Sequence, residues 1–87
     1  MVIDTDAFMV IQDNKKISLS KKEQQLLLFL ISKPGKVFNR NEIMFEVWEQ
    51  SDFVVDRTID VHIMKLRHKI GANHIKTIKG VGYIFVA

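Results

Sequence analysis

The chain has 87 residues, which is room for one small domain with a single core. Hydrophobic residues make up 47% of it and charged residues 26%, so its composition is globular and excludes a disordered chain. Cysteine is absent, which excludes disulfides and thiolate metal sites. The longest apolar run, Leu26 to Ile31, is too short to cross a membrane, and no basic leader follows Met1. We therefore expect a cytoplasmic domain without a membrane partner.

The charge is distributed unevenly along the chain, whose net charge is +3. Residues 1–55 carry seven Lys and Arg against eight Asp and Glu, whereas residues 56–87 carry six against two. The last third is therefore the candidate surface for a polyanion.

The first 35 residues predict two short strands and a helix. Residues 2–17 alternate roughly between β-branched and polar residues, and Asp13 and Asn14 suit the tight turn of a hairpin. A capping box that starts at Ser20 begins a helix, and Pro34 ends it. The apolar residues of this helix are expected in the core: Leu26, Leu27, Phe29, Leu30 and Ile31.

Two further helices follow. A second capping pattern, Asn39 to Glu42, opens a helix that ends near Glu49, and residues 50–55 lack a helical period and are interpreted as a loop. In residues 57–70, apolar side chains recur at intervals of four, three and four, which places one stripe toward the core: Ile59, Ile63, Leu66 and Ile70. The same helical period places a largely cationic set on the opposite face: Arg57, Val61, Met64, Lys65 and His68.

A terminal hairpin is predicted from two β-rich segments, residues 75–79 and 83–86, around a glycine turn at residues 80–82. The order of helix, short loop, basic helix and basic hairpin is that of a helix-turn-helix with a wing. The major groove of B-DNA, about 12 Å wide, admits one helix, and a projecting hairpin reaches the neighbouring minor groove. The sequence therefore predicts an α+β winged helix-turn-helix with an N-terminal antiparallel sheet, three helices and a C-terminal wing.

Several strings carry a resemblance to a known family. They are Asp56-Arg57-Thr58-Ile59-Asp60-Val61-His62-Ile63 with Leu66, Arg67 and Lys69, the ending Ile78-Lys79-Gly80-Val81-Gly82-Tyr83-Ile84-Phe85, and the intermediate markers Leu19, Glu23, Leu26, Leu27, Asn39-Arg40 and Val47-Trp48. Together, from about Val2 to Ala87, they resemble the DNA-binding output domains of OmpR/PhoB response regulators. The resemblance implies a transcription-regulating domain of a two-component system that binds double-stranded DNA and catalyses nothing.

The resemblance also implies which residues lie near DNA. On the recognition helix, about 57–70, these are Arg57, His62, Met64, Lys65 and Arg67; near phosphates they are Arg40 and Trp48; on the wing, about 75–86, they are Thr77, Lys79 and Tyr83. Two positions depart from the family pattern: Met64 stands where a basic residue is frequent, and Lys79 replaces a frequent arginine. The resemblance therefore implies one phosphate contact and one planar donor fewer than in family members that carry the basic residue and the arginine.

The implied partners are direct-repeat DNA half-sites, a second copy of the domain on that DNA, and RNA polymerase through the loop from Glu49 to Val55. Residues 1–87 are expected to be a single domain, and the receiver domain that senses phosphorylation is expected elsewhere in a longer protein. The competing interpretation is a winged-helix module that binds protein. Enzyme interpretations are weak, because Asp52, Asp56 and Asp60 suit a helix start better than a metal cage.

Other local alternatives stay open. Arg67 can pair with Asp60, His62 can bond locally, and Trp48 and Tyr83 can serve mainly as core residues. His62 and His68 point about 120° apart on a helix, so no metal and no cofactor are expected.

Overall fold

The computed structural model describes residues 1–48 and 56–86. Their elements, in chain order, are β1 (Val2–Asp4), β2 (Met9–Gln12), β3 (Lys15–Ser18), α1 (Lys21–Ile31), β4 (Val37–Asn39), α2 (Arg40–Trp48), α3 (Asp56–Ile70), β5 (Ile75–Ile78) and β6 (Gly82–Phe85). The predicted α+β architecture is confirmed. The predicted loop at residues 50–55 lies outside the described residues.

The N-terminal sheet has three antiparallel strands in the order β1-β2-β3. The predicted hairpin turn is confirmed between β2 and β3, where Asp13 and Asn14 both have positive φ, 52° and 63°. The prediction of only two strands is wrong, because a second turn separates β1 from β2. In that turn the Asp4 carboxylate accepts the backbone amides of Asp6 and Ala7, each at 3.1 Å.

Both predicted capping boxes are present. The Ser20 hydroxyl accepts the Glu23 amide at 3.1 Å, and the Glu23 carboxylate accepts the Ser20 amide at 2.8 Å. Asn39 and Glu42 exchange the same two bonds at 2.8 and 3.1 Å. Each box satisfies amides that the first helical turn leaves unpaired, which is why α1 and α2 begin where they do.

The C-terminal sheet contains a strand that the sequence did not predict. β4 pairs with β6, so the order is β4-β6-β5 and the wing hairpin is part of a three-stranded sheet. Asn39 is the partner of Gly82 in this register. The backbones are so close there that a Cβ on Gly82 would overlap the carbonyl oxygen of Phe38. Glycine is required at this position for that reason.

The core lies between the helices and the C-terminal sheet. The predicted stripe of α3 is confirmed, because its four apolar side chains are all buried, and α1 and α2 add Leu26, Leu27, Leu30, Ile43, Val47 and Trp48. Beside this core, Lys69 forms an ion pair with the buried carboxylate of Glu23 at 2.6 Å and donates to the Ser18 carbonyl at 3.0 Å. The first turn of α1 is thereby fixed to the last turn of α3.

Candidate nucleic-acid interface

The solvent-facing side of α3 is the first part of the candidate site. Val61, Met64, Lys65 and His68 are all exposed, on the side opposite the core stripe, as the helical period predicted. Arg57 lies in the first turn of α3, but its side chain falls outside the described residues. The described part of this face therefore combines one lysine and one histidine with two apolar side chains.

Arg67, on the flank of α3, contacts the wing. Its Nε donates to the Ile75 carbonyl at 2.9 Å and its Nη2 donates to the Thr77 hydroxyl at 2.6 Å. The guanidinium also lies 5.6 Å from the centre of the Tyr83 ring. The alternative pairing with Asp60 is wrong, because Arg67 instead joins α3 to the first strand of the wing.

Asp60 is the centre of a second polar cluster, which connects α2, α3 and β6. Its carboxylate accepts a very short hydrogen bond from the Tyr83 hydroxyl and a bond from Arg40 Nη2 at 3.1 Å. The Arg40 guanidinium also lies 5.7 Å from the centre of the Tyr83 ring. Arg40, proposed from the resemblance as a phosphate contact, is therefore an ion-pair partner within the domain. We call Arg40, Asp60 and Tyr83, with Arg67 and Thr77, the helix–wing network.

The electrostatics of the network follow from these contacts. The hydrogen bond from Tyr83 and the one from Arg40 together lower the pKa of Asp60 in spite of partial burial, which opposes them. Burial, and then the bond to the Asp60 carboxylate, raise the pKa of Tyr83. The pKa of Arg40 is raised by its bond to Asp60. Within the network, the Tyr83 phenol and the Arg40 guanidinium therefore both stabilise the ionised carboxylate of Asp60.

Trp48 ends α2 and is buried, at 5% exposure. The His62 ring meets the indole edge-on, with ring centres 5.1 Å apart and an interplanar angle of 82°. Lys22 lies 5.7 Å from the centre of the indole and donates to the Val47 carbonyl at 2.8 Å. Trp48 therefore belongs to the core, at the point where α1, α2 and α3 meet.

The wing presents Thr77 and Lys79 to solvent, whereas Tyr83 is buried. A turn joins its two strands, in which Gly80 has φ of +77° and the Val81 amide donates to the Ile78 carbonyl at 2.9 Å. Lys79 is the second of the four residues of this turn, Ile78 to Val81, and is exposed.

Four of the predicted residues are exposed and accessible to a ligand: Met64, Lys65, Thr77 and Lys79. Three others are hydrogen-bonded within the domain: Arg40 and Tyr83 bond to Asp60, and Arg67 bonds to Ile75 and Thr77. Sequence reasoning missed the role of Asp60, which lies 20 residues from Arg40 and 23 from Tyr83. No local pattern signals pairs so far apart along the chain.

None of the described helices is long and apolar enough to cross a membrane. Among the residues that the structure describes, no group of three or more acidic, histidine or cysteine side chains is arranged to hold a metal ion.

Comparison with known proteins places this arrangement in a family. Residues 14–85 match the model of the family described as "Transcriptional regulatory protein, C terminal". The transcriptional regulatory protein SrrA of Staphylococcus aureus is 40% identical over 89 residues, which cover 95% of this chain and 37% of SrrA. The chain thus spans little more than a third of that relative.

Two solved structures show the same fold. The DNA-binding domain of Bacillus subtilis CssR is 34% identical, with a TM-score of 0.89 and 98% of each chain covered. The response regulator DrrB of Thermotoga maritima, an OmpR/PhoB homologue, is 40% identical, with a TM-score of 0.86; the match covers 98% of this chain and 41% of DrrB. The chain has the winged-helix fold and belongs to the family of C-terminal, OmpR/PhoB-type DNA-binding domains of transcriptional regulatory proteins.

Proposed function

We propose that this domain binds double-stranded DNA sequence-specifically, as the output domain of a two-component response regulator. Helix α3 enters the major groove and the wing approaches the neighbouring minor groove. The observation that carries this proposal is the exposed face of α3, with Lys65 and His68 opposite a fully buried stripe, next to a hairpin that presents Lys79. Family membership supports the same conclusion.

The groups on this face suit a duplex. Lys65 is a flexible cation that reaches either a phosphate or the acceptor edge of guanine. Lys79 stands at the tip of the wing, where narrow A·T-rich minor grooves concentrate negative potential. Arg57, at the start of α3, is proposed from the sequence as a third cation that contacts DNA. Arg40 and Arg67, which are engaged within the helix–wing network, contribute chiefly to the shape of the surface.

The finer parts of the proposal concern partners. Two copies bind direct-repeat half-sites spaced about 10 to 10.5 base pairs apart, because two domains on one face of the duplex need that phase. The segment from Glu49 to Val55 carries acidic residues with Phe53 and no cation, so its proposed partner is RNA polymerase rather than phosphate. The receiver domain implied by the resemblance and the cytoplasmic location expected from the composition belong to the same proposal.

A salt titration tests DNA binding. The affinity of the 87-residue chain for a duplex selected from random DNA is measured at several salt concentrations. About three to five phosphate contacts predict a slope of log affinity against log salt of roughly −2.7 to −4.5. Lys65→Ala and Lys79→Ala should each reduce affinity. Lys33→Ala is the control, because Lys33 is an exposed lysine that follows α1 and belongs to neither α3 nor the wing.

Two results would contradict the proposal. Selection that enriches no duplex would indicate a winged helix that binds protein instead. Equal losses for Lys33→Ala and Lys65→Ala would indicate a general charge effect without a defined binding face.

A further inference from the structure

The solvent-facing side of α3 has an apolar component that cation–phosphate contacts do not explain. Met64 is 62% exposed and Val61 is 37% exposed. They are three residues apart, so they are neighbours on one face of the helix, and Val61 lies directly opposite the core stripe. Lys65 and His68 are exposed on the same face. Two apolar side chains thus lie among groups that suit a polyanion.

We propose that Met64 and Val61 recognise the 5-methyl groups of thymine in the major groove, which makes Met64 a specificity-determining residue. The proposal rests on the proposed function, since it requires α3 to lie in that groove. Among the four bases, thymine alone presents a methyl group on the major-groove edge, and apolar side chains are its natural contacts. Met64 supplies a flexible, polarisable side chain that adapts to the surface it meets.

The dimensions fit neighbouring base pairs. Three residues of α-helix rise about 4.5 Å along the axis. The rise between bases along one strand is about 3.4 Å. Val61 and Met64 can therefore contact methyl groups on adjacent base pairs while Lys65, one residue further on, reaches a phosphate or a guanine edge. The preferred half-site then contains thymine at one or two fixed positions.

In one alternative, Met64 merely occupies the position of a basic residue, and a phosphate is left without a partner. In that case its side chain makes no favourable contact, and removal of a base methyl has no consequence. A second alternative is contact with a neighbouring copy of the domain on DNA. Both alternatives are separated from the proposal by an experiment that removes only the methyl group.

The experiment replaces each thymine of a selected half-site, one at a time, with deoxyuridine and measures the affinity of the 87-residue chain for each duplex. We expect about a fourfold loss at one or two positions, which is the effect of withdrawing one methyl group from an apolar contact. Met64→Ala should abolish most of the loss at one of these positions. Met64→Leu, which keeps an apolar side chain, should retain it. Phe45→Ala removes an exposed apolar side chain of α2 and is the matched control, which should retain every deoxyuridine effect.

The outcomes separate the two levels of the proposal. If the wild-type chain binds no selected duplex, the proposed function fails. If it binds but no deoxyuridine substitution lowers affinity, or if the losses persist unchanged in folded Met64→Ala, DNA binding stands and thymine recognition is overturned. Loss of cooperativity between two half-sites in Met64→Ala, with all deoxyuridine effects intact, would also overturn it and assign Met64 to a contact between copies.

Discussion

The Arg67 guanidinium donates to the Thr77 hydroxyl across 2.6 Å, so a side chain of α3 fixes a side chain of the wing. The hydroxyl oxygen accepts this bond, which leaves the Thr77 hydroxyl hydrogen for another acceptor. A DNA phosphate can be that acceptor. Arg67 then influences DNA binding through Thr77 rather than by its own contact.

This relationship predicts non-additive effects on affinity. Arg67→Gln and Thr77→Val should each weaken DNA binding by about 1 to 1.5 kcal/mol, the typical contribution of one hydrogen bond, and the double variant should lose little more than either single variant. Binding isotherms at fixed salt measure the losses. Thr77→Ser keeps the hydroxyl and is the control. Additive losses, together with a salt slope reduced by about 0.9 in Arg67→Gln, would instead indicate a direct phosphate contact.

The hydrogen bond between Tyr83 and Asp60 predicts a measurable shift in the titration of the phenol. Tyr83 is the chain's one tyrosine, so ultraviolet absorbance follows its ionisation directly. Burial and the Asp60 carboxylate raise its pKa above 10.0, so the folded chain should ionise at higher pH than the urea-unfolded chain. The contribution of the protonated Tyr83 phenol to the stability of the fold is therefore complete below the pKa of Tyr83 in the unfolded chain. It is lost as the pH rises through the higher pKa of Tyr83 in the folded chain. Asp60→Asn should move the folded midpoint downward.

Circular dichroism at each pH confirms that the chain is still folded during this titration. Equal midpoints for folded and unfolded wild-type chains would show that the phenol is exposed and that the contact with Asp60 does not persist in solution.

The ion pair between Glu23 and Lys69 predicts acid sensitivity. Burial alone would raise the pKa of Glu23, but the bonds from Lys69 and from the Ser20 amide outweigh it and lower the pKa below 4.5. The contribution of the ionised Glu23 carboxylate to stability is therefore complete above the ordinary pKa of 4.5. It is lost as the pH falls through the lower pKa of Glu23 in the folded chain. Glu23→Gln should reduce the free energy of unfolding by about 1 to 3 kcal/mol at neutral pH, and the difference should shrink near pH 3.

Urea unfolding at the two pH values measures the difference. The exposed Glu46 provides the control, because Glu46→Gln removes a carboxylate of the same kind from the surface of α2. A difference for Glu23→Gln that stays constant with pH would contradict the proposed ion-pair contribution.

Gly82 predicts a steric effect on the C-terminal sheet. An added Cβ would meet the backbone of Phe38 and Asn39, which cannot move aside as a flexible side chain can. Gly82→Ala should therefore destabilise the domain by about 1 to 3 kcal/mol or more. Thermal unfolding measures the loss. Gly80→Ala is the informative comparison: space is open around Gly80, but its φ of +77° makes alanine costly through backbone strain alone.

Much of the fold was predictable because its signals are local. Capping boxes, the stripe of α3 and the turn at Asp13 and Asn14 each depend on residues within a few positions of one another. The missed elements depend on distant partners: β4 has three residues and exists only through its pairing with β6. β1 also has three residues, and the alternating pattern of residues 2–17 does not distinguish it from β2.

The candidate site was predictable to a smaller extent, for the same reason. Helical periodicity placed Met64 and Lys65 on the exposed face of α3, because the period is fixed by backbone geometry. The engagement of Arg40 by Asp60 and of Arg67 by Thr77 depends on how α2, α3 and the wing meet in space. Sequence patterns identify such residues as cations and do not specify which partner neutralises or orients them.

The position of β6 in the middle of the C-terminal sheet has a consequence for synthesis. β4 and β5 both pair with β6 and not with each other, so the segment at residues 37–39 has no strand partner until residues 82–84 have left the ribosome. The Asp60 carboxylate likewise has no hydrogen bond from Tyr83 until that strand has been synthesised. A nascent or truncated chain without β6 contains the sequence of the recognition helix but not the sheet and network that orient it. DNA binding should therefore appear only when β6 joins the sheet, and chains that lack β6 should not compete for the DNA site.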